Sequence, residues 1–105
     1  MTPKGEPLAL RDISVRVYPK DKGYFLEHFD QTAGPNATRV FAVIVYLNDV
    51  IEGGCTTFPD LNITIKPERG KVLIFPCNFM FAHEGEMPKS NEKYIATAFI
   101  HFQDI

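Results

Sequence analysis

The chain has 105 residues, enough for one domain (residues 1–105) with a modest core, and its 45% apolar and 23% charged content is that of an ordinary globular protein. A formal net charge of −2 supplies no basic field for nucleic-acid backbones, and no apolar run approaches the ~20 residues of a membrane span, so neither nucleic acid nor membrane is an expected partner. Met1 to Leu10 lacks the apolar stretch of a signal peptide, and two cysteines, Cys55 and Cys77, are too few for a disulfide scaffold; free thiols and a cytoplasmic location are expected.

Strand signals follow one another along the chain. Residues 9–18 alternate weakly, with Ile13, Val15 and Val17 on one parity, and 24–30 is a short aromatic run. QTAGPNAT at 31–38 is rich in turn formers. RVFAVIVYL at 39–47 is the strongest strand, dense in β-branched and aromatic residues. A short strand at 55–58 follows the Gly53-Gly54 break. LNITIK at 61–66 alternates, 71–75 reads as a buried strand after the turn at 67–70, and 79–83 reads as a further short strand. KYIATAFIHF at 93–102 is the last. About eight strands with frequent turn signals and no amphipathic helix predict an all-β jelly roll, a double-stranded β-helix of two antiparallel sheets.

Chemistry concentrates in His28-Phe29-Asp30, with His83 and Lys93 downstream. Residues two apart on a strand face the same way, so His28 and Asp30 with a later histidine can form a two-histidine, one-carboxylate triad that leaves positions open on non-haem Fe(II). An HxD pair alone also fits a surface His-Asp pair beside an unrelated histidine. Lys93, Ile95, Thr97 and Phe99 share one parity of the last strand, and Ala42, Ile44 and Tyr46 one parity of the central strand. Both sets are predicted to face one interior, a small apolar pocket with few polar anchors. A lysine buried there needs an anionic partner. His101 shares that parity but lies eight residues beyond Lys93 and is expected to be a packed or hydrogen-bonded histidine.

The wider pattern resembles the catalytic barrel of the Fe(II)/2-oxoglutarate-dependent prolyl 4-hydroxylases, from about Val15 to Phe102. Four segments carry the resemblance in order: Tyr18, Gly23 and His28-Phe29-Asp30; Tyr46-Leu47-Asn48, Gly53-Gly54 and Thr56-Thr57-Phe58-Pro59; Pro67, Gly70 and the apolar strand Val72 to Phe75; and His83-Glu84-Gly85 with Lys93. The resemblance implies that His28, Asp30 and His83 are the iron ligands and that Lys93 pairs with the distal carboxylate of 2-oxoglutarate. It implies that Tyr46 and Thr97 hydrogen-bond that carboxylate, and that Tyr18 lines the iron and cosubstrate pocket. It implies hydroxylation of a C–H bond with Fe(II), 2-oxoglutarate and O2, ascorbate as a candidate auxiliary reductant, and succinate and CO2 as coproducts. A prolyl residue of a peptide or protein is the first substrate by resemblance. A free amino acid or other small molecule is the second, and a non-catalytic cupin-like metal-binding module is the alternative of another class. Relatives carry helices N-terminal to the barrel that cover its larger sheet. About eight residues precede the first strand here, so the outward parity of Ile13, Val15 and Val17 is expected to need a cover, by self-association or by another subunit.

Overall fold

A computed structural model describes residues 8–23, 25–28, 30 and 34–102, with 25–28 and Pro35 described through the backbone. Eight strands build it: β1 Leu8–Tyr18, β2 Phe25–His28, β3 Arg39–Tyr46, β4 Thr56–Phe58, β5 Ile63–Ile65, β6 Val72–Pro76, β7 His83–Gly85 and β8 Lys93–Phe102. They form two four-stranded antiparallel sheets, ordered β1-β8-β3-β6 and β2-β7-β4-β5. This is the jelly roll that the strand pattern predicts.

The sheets meet across an aromatic core. Ala42, Phe58, Phe75 and Cys77 are buried together, and the Phe58 ring from the smaller sheet meets Phe75 of the larger one edge-on at 4.9 Å. A second buried group, Tyr18, Tyr46 and Ile95, lies against the same Ile44, Ile65 and Leu73.

Three segments differ from the sequence reading. Residues 79–83 are not one strand: Phe79–Phe81 is a 3-10 helix, because Asn78 accepts from the Met80 N–H at 2.9 Å and from the Phe81 N–H at 3.0 Å, and β7 starts only at His83. The strand at 71–75 is not buried on both faces, since β6 is a sheet edge and leaves Val72 and Ile74 more than half exposed. Leu61 belongs to the 3-10 turn Pro59–Leu61, which ends at left-handed Asn62 and leaves β5 only three residues long.

The weak alternation of β1 has a physical cause. A register shift between Arg11 and Ser14, with Asp12 at φ 61°, reverses the strand's parity. Ser14, Arg16 and Tyr18 oppose Thr97, Ile95 and Lys93 inside, while Leu8 and Leu10 join Ile13, Val15 and Val17 outside. The outer face of the larger sheet is therefore apolar and open among the described residues: Ile13 is 69% exposed, Val15 67% and Ile74 56%.

Candidate active site

The Lys93 end of the site is built by its turns. The Asn48 side-chain amide donates to the Glu92 carbonyl at 2.8 Å, and its oxygen accepts from the Tyr94 N–H at 2.8 Å, so one residue brackets Lys93 in sequence. Gly53 and Gly54 both have positive φ, and a Cβ on Gly53 would collide with the Met87 carbonyl. The turn is clamped further by Ser90, whose hydroxyl accepts from the Ile51 and Glu52 N–H groups. The result is a Gly54 carbonyl that accepts from Lys93 Nζ at 2.7 Å.

Lys93 is 2% exposed, with its ammonium 5.2 Å from the Tyr18 ring centroid and 5.9 Å from that of Tyr46. Burial holds its pKa down from 10.5 to about 8, with Cys55 and Glu86 opposing that shift from a distance. Among the described residues no carboxylate forms an ion pair with it. Burial also pushes the Tyr18 phenol up to about 12 and raises that of Tyr46, so both hydroxyls are neutral at physiological pH. Tyr46 and Thr56 share a buried hydrogen bond of 2.7 Å, and Thr97 pairs with Ser14 at 3.0 Å.

His83 opens β7 and is 6% exposed, held between the rings of Phe75 (4.7 Å) and Phe58 (5.6 Å). Its Nδ1 lies 3.1 Å from the Phe81 carbonyl, which can only accept, so Nδ1 carries the hydrogen. In the neutral form of that tautomer the lone pair is on Nε2, which lies 3.6 Å from Asp30 Oδ2. Asp30 lies just past the end of β2, its N–H donating to the Cys77 carbonyl at 3.2 Å. Two acceptors facing each other at this distance call for a proton or a cation between them, so the donor set fits a metal ion. Among the described residues no group of three potential ligands forms, and the side chain of His28, the third predicted ligand, lies outside them. The His28 backbone is described, and it pairs directly with His83 across β2 and β7.

One cavity of about 110 Å³ joins the two ends. Asp30 and His83 line it together with Tyr18, Lys93 and Thr97, and Ile44, Ile95, Phe75 and Phe99 give it apolar walls. Tyr46 is not in the wall; Thr56, to which it is bonded, is. Thr56 and Arg16 are wall residues that the sequence reading passed over. Arg16 shares the parity of Tyr18 by ordinary alternation and borders the cavity, and alternation counted from Tyr18 backwards would have found it. His101 is 4% exposed and hydrogen-bonded on both ring nitrogens, to Thr38 at 2.7 Å and to Asp12 at 2.8 Å. Cys55 and Cys77 are free thiols. No helix among the described residues is long and apolar enough to cross a membrane.

The chain is similar to several known proteins. A protein of Acanthamoeba polyphaga mimivirus, provisionally named prolyl 4-hydroxylase, is 31% identical over 100 residues, covering 78% of this chain and 40% of that protein. The 2OG complex of the viral collagen prolyl hydroxylase from Paramecium bursaria Chlorella virus-1 superposes with a TM-score of 0.82 at 29% identity, over 92% of this chain and 62% of that one. A prolyl hydroxylase from Trichoplax adhaerens, in complex with a hypoxia inducible factor oxygen degradation domain peptide fragment, shares the fold with a TM-score of 0.75 at 23% identity, over 90% of this chain and 44% of that one. The chain thus spans less than two thirds of each of these relatives. The family model of the 2OG-Fe(II) oxygenase superfamily matches residues 13–101, across both sheets and every described wall of the cavity. With a jelly roll, a histidine–carboxylate pair and a buried lysine around one cavity, the chain belongs to the 2OG-Fe(II) oxygenase superfamily.

Proposed function

We propose that this chain is the catalytic barrel of an Fe(II)- and 2-oxoglutarate-dependent dioxygenase that hydroxylates a prolyl residue in a peptide or protein. The observation that carries this reading is Lys93, a buried cation in the same cavity as the Asp30–His83 pair. A dicarboxylate supplies the anion that its burial calls for. The viral relatives and the peptide-bound fold neighbour support a prolyl substrate.

In this reading His28, Asp30 and His83 hold the iron. Iron and 2-oxoglutarate, when bound, supply the oxidising chemistry with O2, releasing succinate and CO2, and ascorbate serves as auxiliary reductant. The protein's own residues orient and shield. The Phe81 carbonyl fixes the His83 tautomer so that Nε2 is a ligand, and Phe58 and Phe75 fix its ring plane. Lys93 donates to the distal carboxylate, Thr97 and Tyr18 border it, and Tyr46 acts through Thr56. Ile44, Ile95 and Phe99 keep the cavity apolar, so that the charged contacts inside it are strong.

Incubation of the protein with Fe(II), 2-oxoglutarate and a library of proline-containing peptides tests this. The expected result is succinate release coupled to a gain of one oxygen atom on a proline. Turnover of free amino acids alone would replace the peptide reading with the small-molecule one, and metal binding without any turnover would make the barrel a non-catalytic module.

The Lys93 assignment also fixes a pH dependence. The free lysine loses its proton near pH 8, and an anion beside it raises that pKa. Affinity for 2-oxoglutarate is therefore expected to be flat below pH 8 and to fall up to about tenfold per unit above it, because binding must then take up a proton. Calorimetric titrations between pH 6.5 and 9.5 measure this, and a flat profile would remove Lys93 from the anion site.

The outer face of the larger sheet is proposed to be covered by a second copy of the chain. Light scattering is expected to show mass rising with concentration, and the double substitution Val15→Lys with Ile74→Lys to keep it monomeric. A constant monomer mass for the unsubstituted chain would contradict this.

A further inference from the structure

We infer that Asp12 is a positioning residue for the metal centre, acting on Asp30 through Arg39; this rests on the reading of Asp30 as a ligand. Asp12 sits at the parity reversal of β1 with φ 61°, a conformation that aspartate and asparagine tolerate better than other side chains. The register shift turns its carboxylate towards the start of β3 and the end of β8. There Oδ2 accepts from His101 Nε2 at 2.8 Å and lies 3.7 Å from Arg39 Nη2. His101 is held from its other side by the Thr38 hydroxyl at 2.7 Å, so the carboxylate is anchored on a buried ring. The guanidinium of Arg39 lies over Phe99, its Cζ 3.6 Å from the ring centroid, and its Nη1 donates to the Asp30 carbonyl at 3.4 Å.

Arg39 is thereby seated over Phe99 and drawn in direction by Asp12. Asp30, just past the end of β2, is held at both main-chain groups: its N–H by Cys77 and its carbonyl by Arg39. The Asp30 carboxylate is aimed at His83 by a main chain that no ladder of β2 secures. Without Asp12 the guanidinium keeps its ring contact but loses a charged partner that helps set its rotation, and its bond to the Asp30 carbonyl is less firmly directed. Outer contacts of this kind typically contribute about 10- to 100-fold to metal affinity.

The test is titration of the whole chain with Co(II), read by its visible absorption and by thermal shift, for Asp12→Asn and Asp12→Gly. Asparagine keeps the shape and removes the charge; glycine removes the side chain and keeps the positive φ without strain. Both variants are expected to bind Co(II) about tenfold more weakly. Val45→Ala is the control for stability alone: Val45 pairs with Val72 and Ala96, away from this network. It is expected to lower the melting temperature and leave Co(II) affinity intact. Unchanged affinity in both Asp12 variants, or an equal loss in Val45→Ala, would overturn the role of Asp12. Failure of the unsubstituted chain to bind Co(II) would instead overturn the metal-site reading on which it rests.

Discussion

Replacing Lys93 with methionine is expected to raise the melting temperature of the ligand-free protein while destroying its affinity for 2-oxoglutarate. Both effects have one origin. A lysine whose pKa falls from 10.5 to about 8 on folding costs about 3 kcal/mol at neutral pH. Methionine fills a similar volume without the charge, at the loss of one hydrogen bond to the Gly54 carbonyl, about 1 kcal/mol. The net gain is about 2 kcal/mol, a rise of roughly 8 °C or more for a domain of this size. Because the folded pKa lies below the unfolded one, the unfolded chain binds the extra proton between pH 8 and 10.5, and the penalty fades as pH rises through that window. The stability gap between the two proteins is thus largest below pH 8 and closes towards pH 10.5. Cys55 feels the Lys93 charge, which holds its thiol pKa down against burial, so the comparison is read below pH 8, where the lysine penalty is largest. Binding moves the opposite way: loss of a buried charge partner, about 3–5 kcal/mol, weakens 2-oxoglutarate by about two to four orders of magnitude. Thermal melts with and without 2-oxoglutarate check both halves. A methionine variant that is less stable, or that binds the cosubstrate normally, would contradict the assignment.

His83→Leu is expected to abolish the response to metal with little change to the metal-free fold. Leucine keeps apolar contact with Phe58 and Phe75 and gives up the bond to Phe81. A ligand that binds only the folded state stabilises it by about 2.7 kcal/mol at a hundredfold excess over Kd. Fe(II) or Co(II) should raise the melting temperature of the unsubstituted chain accordingly and leave that of His83→Leu unmoved. Asp30→Asn should behave similarly, since the amide oxygen is a poor replacement for a carboxylate on a divalent ion. Equal metal-induced shifts in all three proteins would take the metal away from this pair.

The fold was legible because the strands that matter most alternate cleanly or are densely β-branched. β3 and β8 show their inward parity directly, and Ala42, Ile44, Lys93, Ile95, Thr97 and Phe99 all line the cavity. Arg16 was within reach, since it shares the parity of Tyr18; the bulge at Asp12 hides only the facing of residues 8–11, a backbone event that composition does not signal. The run from Phe79 to Phe81 misled because it is apolar enough for a strand, whereas the Asn78 side chain offered its backbone a tighter turn. The parity of Tyr46 points inward, and the structure adds that its hydroxyl is bonded to Thr56, which lies in the wall. Network residues such as Asp12 and Arg39 were out of reach, because their partners lie between 9 and 89 positions away in sequence and meet only in the folded sheet.

The most direct measurement of the central claim is an anaerobic titration of the protein with Fe(II) and 2-oxoglutarate, followed in the visible range. The unsubstituted chain is expected to develop the weak charge-transfer band of a keto acid chelated to iron. His83→Leu is expected to show no band, and Lys93→Met to show it only at cosubstrate concentrations about two to four orders of magnitude higher. No band in the unsubstituted chain, together with an unchanged melting temperature, would contradict the account.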